Sequence, residues 1–273
     1  MRAWLNGRLL EDPTAPAVTL RDHGLTVGDG AFEAVKVVDG RPFALTRHLD
    51  RLAASAAGLG LPAPDIETVR RGVGEVLDGP SLALGRLRIT YTAGPAPLGS
   101  GRGAGPVSLI IVTDAMAPAE DSTSVVRVPW VRNERSAVAG LKTTSYAENV
   151  VALARAKEAG ASEAIFANTL GRLCEGTGSN VGYVVNGQAR TPSLGSGCLA
   201  GVTRALLLEW CDVVEIDEPM GVLDEAEEVF LVSTTRDVQA VVRVDDRVLA
   251  APGPVTRALQ ETWALRAAES DDP

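Results

Sequence analysis

Apolar positions along this chain recur in two rhythms, and the places where the rhythm changes outline its elements. Residues 2–5 and 8–10 flank Asn6-Gly7, a dipeptide suited to the positive φ angles of a tight hairpin. A second run, Phe32 to Val38, meets Asp39-Gly40 and then Pro42-Phe43-Ala44-Leu45, which predicts another hairpin. From Thr46 the period lengthens. Leu49, Leu52, Ala53, Ala56 and Leu59 recur every three or four residues until Gly60, so a helix is expected there. Another helix is expected over Asp65 to Leu77, with strands over Arg86 to Thr92 and Val107 to Val112. Antiparallel strands mixed with helices in this order predict an α+β fold class.

Two stretches interrupt the pattern, a Gly- and Pro-rich loop (94–106) and a polar patch (114–124). The patch is the better domain boundary and divides the chain into 1–117, a small N-terminal domain, and 118–273, a larger C-terminal one. Beyond it come a strand from Val125 to Val131, an irregular stretch around Lys142, and a helix from Ala147 to Ala159. Strands Ala164–Ala167 and Arg172–Cys174 enclose a turn, and Asn186-Gly187 turns a further hairpin. A helix over Arg204–Trp210, a strand over Val229–Val232 and a last helix over Pro254 to Ala268 follow, and the tail Glu269–Pro273 is expected to fray.

Composition narrows the function classes. With 35 acidic and 26 basic side chains the net charge is −9, and no Lys/Arg stripe stands out, so a nucleic-acid partner is not expected. An anionic substrate must then be drawn in by a local cluster of positive charge. Three cysteines without metal-type spacing point to a reducing compartment, and two histidines are too few for a His-rich metal site. No apolar run reaches the ~18 residues of a membrane helix, so a cytoplasmic protein with no membrane partner is expected.

Four segments carry chemistry. In Leu141-Lys142-Thr143-Thr144-Ser145-Tyr146 a lysine lodges between a strand and a helix, where partial desolvation makes an amine a nucleophile toward an aldehyde; the plain alternative is a solvated loop lysine. In Cys174-Glu175-Gly176-Thr177-Gly178-Ser179-Asn180 the glycines let backbone pass close to a ligand and Glu175 becomes a carboxylate at the floor of a cleft, or else the stretch is a hairpin with an exposed glutamate. Leu199-Ala200-Gly201-Val202-Thr203-Arg204 opens a helix whose unpaired N–H groups and hydroxyl suit an anion, or Thr203 simply caps it. Phe230 to Thr235 is a strand ending in three hydroxyls, a phosphate cup or a polar turn.

Taken in order, these segments resemble the class IV aminotransferase family, also called fold type IV of the pyridoxal-phosphate enzymes. Glu175, Thr177 and Asn180, then Leu199, Gly201, Val202 and Arg204, follow the family's most specific stretch. Val27-Gly28-Asp29-Gly30-Ala31-Phe32-Glu33 and Thr46-Arg47-His48-Leu49-Asp50-Arg51-Leu52 resemble it too, so the likeness covers nearly the whole chain. Gly182 before Tyr183, and Ala189, depart from the pattern on the hairpin after Glu175.

The resemblance implies a two-domain enzyme, its larger domain built on a β-barrel-like sheet, with pyridoxal 5′-phosphate in the interdomain cleft and a homodimer as the working state. It implies that Lys142 forms the Schiff base and shuttles the proton, and that Glu175 pairs with the pyridine nitrogen. Arg47, Val202, Thr203 and Thr234 would surround the phosphate, and Tyr146, assisted by Asn180, would reach the phenolic oxygen. Phe32, Arg88, Arg102 and Thr235 would lie on the substrate side. Two reactions stay open. One is transamination between an amino acid, D-amino acids and (R)-amines included, and a keto acid; the other is aminodeoxychorismate lyase chemistry, which releases pyruvate and 4-aminobenzoate. Phe32-Glu33 after Gly30-Ala31 is the aminotransferase-like form and tips the balance that way.

Overall fold

The computed structural model describes all 273 residues, which divide into two compact units. The first comprises Met1–Pro118 together with Leu141–Tyr146 and Asp271–Pro273; the second comprises Ala119–Gly140 and Ala147–Ser270. The units are therefore not two consecutive stretches, because the lysine segment and the last three residues belong with the first.

In the first unit β1 (Arg2–Leu5) and β2 (Arg8–Leu9) turn at Asn6-Gly7, and β3 (Gly30–Val38) and β4 (Arg41–Pro42) turn at Asp39-Gly40. All four turn residues have positive φ, which is why these dipeptides sit there. With β5 (Leu84–Thr92) and β6 (Ser108–Ala115) they make an antiparallel sheet in the order β2-β1-β6-β5-β3-β4. A one-turn helix α1 (His23–Thr26) precedes β3, and α2 (Leu45–Gly58) and α3 (Ile66–Leu77) cover one face. Trp4, Val35, Leu49, Leu52, Val69, Leu87, Ile89 and Ile111 form the core between them.

The tail does not fray as expected. The residue before α2, Ala44, has φ 53° and no side chain to cap the helix, and the tail supplies the missing acceptors. Ala44 N–H donates to the Asp271 carbonyl at 2.6 Å, Thr46 N–H to Asp272 Oδ1 at 2.9 Å, and Arg41 pairs with Asp271 at 2.8 Å. Carboxylates at a helix N-terminus satisfy its unpaired donors and its dipole.

The second unit is built on nine strands. They are β7 (Ser122–Arg132), β8 (Glu163–Asn168), β9 (Leu173–Gly176), β10 (Asn180–Val185), β11 (Gln188–Thr191), β12 (Val213–Glu215), β13 (Glu228–Ser233), β14 (Asp237–Val244) and β15 (Arg247–Val248). The order is β12-β11-β10-β13-β14-β7-β8-β9, with β15 on β14. Pairings β11/β12, β14/β7 and β7/β8 are parallel and the rest antiparallel. The end strand β9 also contacts β10, so the sheet curls. Helix α4 (Ala147–Glu158) packs on β7 and β8, α5 (Val202–Trp210) on β13, and α7 (Pro254–Glu269) on β13 and β14; α6 (Val222–Glu225) is a single turn. Ile165, Leu173, Tyr183, Leu231 and Val241 lie at the centre of its core. No helix is long and apolar enough to cross a membrane.

Three expectations shift here. β9 runs on through Gly176 and β10 begins at Asn180, so Glu175 sits on a strand and only residues 177–179 turn. Helix α5 starts at Val202, with Gly201 rather than Thr203 in the capping position. β14 follows Thr235 where no strand was expected.

Candidate active site

In the first unit the lysine segment is bound to the start of β3 like an added strand. Phe32 N–H donates to the Lys142 carbonyl at 3.0 Å, and Thr144 N–H to the Gly30 carbonyl at 2.8 Å. The hydroxyls of Thr144 and Ser145 reach the Gly28 carbonyl at 2.8 and 3.0 Å. Gly28 has φ 72°, and a Cβ there would lie 2.5 Å from Ser145 Oγ, so the position demands glycine. Lys142 N–H donates to Ser55 Oγ on α2 at 3.1 Å, and the lysine backbone is thus fixed from two sides.

The lysine side chain is seated on aromatic rings. Lys142 Nζ lies 4.6 Å from the centre of the Phe32 ring and 5.9 Å from that of Tyr146, and the two rings meet edge to face at 5.3 Å. The Arg88 guanidinium lies 3.9 Å from the Phe32 ring centre, and its Nε donates to Thr90 Oγ1. Burial draws its pKa below the ordinary arginine value, the nearby Tyr146 opposing and Arg86 adding to the shift. Phe32, Arg88, Lys142 and Tyr146 are therefore brought together.

Arg102 is not with them. Its guanidinium clamps both oxygens of Asp29 at 2.7 Å and donates to the carbonyls of Gly60 and Leu59 at 2.9 and 2.7 Å. Arg47 faces the chain end, its Nε on the Pro273 carbonyl at 2.8 Å. One turn along α2, Arg51 grips both oxygens of Glu33 at 2.9 and 2.6 Å, and His48 Nδ1 lies 2.7 Å from Glu33 Oε2. Burial lowers the His48 pKa against the pull of Glu33, and the charges of Arg51 and Lys142 lower it further. The sequence held a signal for this face: Arg51 lies three residues after His48 and four before Ser55, both buried on α2.

In the second unit Glu175 is held at both oxygens, by Arg132 Nε at 3.0 Å and by Leu199 N–H at 2.9 Å. Asn180 Nδ2 donates to the Leu199 carbonyl at 2.9 Å, and a Cβ on Gly201 would strike Asn180 Oδ1 at 2.0 Å. Glu175, Asn180, Leu199 and Gly201, picked out by spacing, thus form one cluster. Directly beyond it α5 begins with no side-chain cap, leaving the N–H groups of Val202 and Thr203 unused by the helix, with Thr203 itself buried. Thr234 and Thr235 follow β13, the strand on which α5 packs. Nothing in the sequence marked Arg132, whose role is set by neighbours on β8 and α4.

Comparison with known proteins identifies the family and the fold. Residues 30–244 match the amino-transferase class IV family model. A D-alanine aminotransferase of Bacillus licheniformis is 31% identical over 270 residues, which cover 95% of this chain and 95% of that protein. The branched-chain aminotransferase of the archaeon Thermoproteus uzoniensis, solved with norvaline, superposes with a TM-score of 0.90 at 26% identity, covering 98% of this chain and 95% of that one. A hypothetical aminotransferase from Mycobacterium tuberculosis in its PLP-bound form gives 0.87 at 26% identity, covering 98% and 99%. The chain belongs to the class IV aminotransferases and has the fold of those enzymes.

Proposed function

We propose that this aminotransferase works with pyridoxal 5′-phosphate held covalently at Lys142, and exchanges amino groups between a small amino acid, D-amino acids and (R)-amines included, and a keto acid. The observation that carries this is the seat of Lys142, a half-buried residue fixed through its backbone, with its amine beside the rings of Phe32 and Tyr146. Such placement is what a nucleophile toward an aldehyde needs. When bound, the cofactor supplies that aldehyde and a ring able to take up electron density.

The donor sets fit such a molecule. Lys142 Nζ carries the proton to and from the substrate α-carbon. Glu175, fixed at both oxygens, would meet the ring nitrogen, and a carboxylate there favours its protonated form. The free N–H groups of Val202 and Thr203, with the hydroxyls of Thr203 and Thr234, suit the phosphate. Arg51 is the better phosphate cation than Arg47, since it stands one turn from Ser55, which holds the lysine backbone, and Arg47 stands a further turn away with its Nε on the Pro273 carbonyl. Tyr146 suits the ring oxygen, with Asn180 supporting the loop beside Glu175. Arg88 takes the substrate carboxylate over Phe32, because Arg102 is committed to Asp29; Thr235 completes the substrate side.

Purified protein given pyridoxal phosphate should gain a visible absorbance band that an amino acid bleaches. Borohydride should then fix the cofactor to the Lys142 peptide, and K142A should carry none. No band with cofactor added overturns the proposal, and label on Lys36 or Lys157, the other lysines, overturns the choice of residue. Release of 4-aminobenzoate from aminodeoxychorismate, with no bleaching by D- or L-amino acids, would make the enzyme a lyase. We also take it to be a cytoplasmic homodimer. The free thiols of Cys174, Cys198 and Cys211 fit a reducing compartment, and the exposed apolar side chains of Leu20, Leu25 and Leu98 are surface that a second copy would cover. Sedimentation at a single chain's mass would refute the dimer.

A further inference from the structure

Glu175 is one corner of a charged triad that lies wholly within the second unit. Arg132, the last residue of β7, donates Nε to Glu175 Oε1 at 3.0 Å and Nη1 to Glu148 Oε2 at 2.6 Å, and Nη1 also reaches Asn149 Oδ1 at 3.2 Å. Its guanidinium stands over the Phe166 ring, 4.1 Å from the ring centre. Phe166 on β8 pairs with Glu175 on β9, so the strand register places the ring that orients Arg132 beside the carboxylate that Arg132 orients. Asn149 in turn donates Nδ2 to the Thr177 carbonyl in the turn after Glu175. Arg132 and Glu175 are nearly covered, with side chains 14% and 13% exposed, whereas Glu148 in the first turn of α4 is 52% exposed.

The charges do not cancel. One guanidinium stands between two carboxylates, so the group carries one net negative charge. A simple Arg132–Glu175 pair would be neutral and would hold a protonated ring nitrogen weakly, because the guanidinium competes for the same carboxylate. A Glu175 without Arg132 would be negative but held at one oxygen only, by Leu199 N–H. The second carboxylate resolves this conflict: it offsets the guanidinium charge while the guanidinium keeps Glu175 aimed.

We propose that Arg132 and Glu148 are positioning residues for Glu175: Arg132 aims its carboxylate, and Glu148 offsets the charge of Arg132 so that one negative charge remains for the cofactor's ring nitrogen. This rests on the pyridoxal-phosphate reading above. It makes an exposed glutamate, which touches no reacting atom, a determinant of cofactor binding.

The test compares the apoenzyme's affinity for pyridoxal phosphate with its affinity for the 1-deaza analogue, in which CH replaces the ring nitrogen, in wild type, E148Q and R132Q. E148Q leaves the pair neutral, and the preference for the natural cofactor should fall about two- to fivefold, the scale of a half-exposed charge. Affinity for the analogue should hold, because the fold is intact. R132Q leaves two carboxylates with no cation between them, and the preference should rise while affinity for both molecules weakens as Glu175 loses its anchor. A purely structural role would not move the two variants in opposite directions. A preference unchanged in E148Q, or falling in both variants, overturns the proposal, and E148Q alone decides if R132Q does not fold. A wild-type protein that binds neither molecule overturns the pyridoxal-phosphate reading itself, which is a different result.

Discussion

At the scale of single residues, burial by itself would push the Glu33 carboxyl up, yet the Arg51 guanidinium and the His48 ring hold it down at about 2. Its stabilising share is therefore present above the ordinary glutamate value and lost only as pH falls toward 2. The same pairing freezes Arg51, since removing one member of a buried ion pair strands the other. This gives a way to separate Arg51 from Arg47, one turn apart on the same helix. R51Q should weaken pyridoxal phosphate binding by about tenfold or more, the worth of a charge-assisted bond, and should weaken binding of phosphate-free pyridoxal far less. R47Q should leave the difference between the two ligands nearly as it is in wild type. Equal losses for both ligands in R51Q would mean that Arg51 serves the fold and not the phosphate. The family pattern in the sequence drew attention to Arg47; it and Arg51 lie on one row of α2 that leads to Ser55, and which of them stands nearer the lysine segment depends on where along its axis the helix docks.

At the scale of elements, the Gly- and Pro-rich loop 94–106 is closed by a charged clasp. Arg102 grips Asp29, and His23, with a side chain 2% exposed, lies between two acceptors, Asp29 Oδ2 at 2.8 Å and the Gly99 carbonyl at 2.9 Å. Only a protonated ring donates to both. The Asp29 bond, then the Gly99 bond, raises the His23 pKa above 6.5 against burial, with the Asp29 charge adding and the Arg102 charge opposing. A raised folded-state pKa gives stability that is complete below the ordinary imidazole value and is lost as pH rises through the folded one. Tryptic cutting after Arg102, corrected for the protease's own pH profile, should therefore quicken as pH rises from 7 to 9. H23N should cut readily and lose most of that dependence; a wild-type rate flat across the range would refute the clasp. Elements as such were legible where backbone demands were local. Asn6-Gly7, Asp39-Gly40 and Asn186-Gly187 all turn hairpins with positive φ at both residues, and the long helices keep their apolar period. β12 and β15 are too short to carry a period, and β14 is buried on both faces over much of its length, so alternation vanishes. The lysine segment read as irregular because its partners on β3 lie more than a hundred residues earlier in the chain.

At the scale of the whole molecule, the net charge of −9 opposes everything the site is built to receive, a phosphate and the carboxylates of amino and keto acids. The sequence made this conflict legible but not its resolution, since several of its arginines are spent internally. Arg102 is paired with Asp29, Arg127 with Asp224 and Asp245, and Arg236 with Glu163. The attraction left for an anion comes from short-range groups, the uncapped N–H groups of α5 and Arg51, whose charge Glu33 offsets at a distance, and it acts at contact. The repulsion acts over distance, and salt separates the two ranges: the screening length falls from about 30 Å at 0.01 M to about 8 Å at 0.15 M. Added salt should therefore remove the long-range barrier before it weakens the contacts. The association rate of pyridoxal phosphate with the apoenzyme should rise severalfold across that interval, while the rate for uncharged-tail pyridoxal stays nearly level. Stopped-flow measurement of both at matched pH checks this. A phosphate-dependent rate that falls with salt would mean that a positive potential reaches out past the surface and steers the anion in.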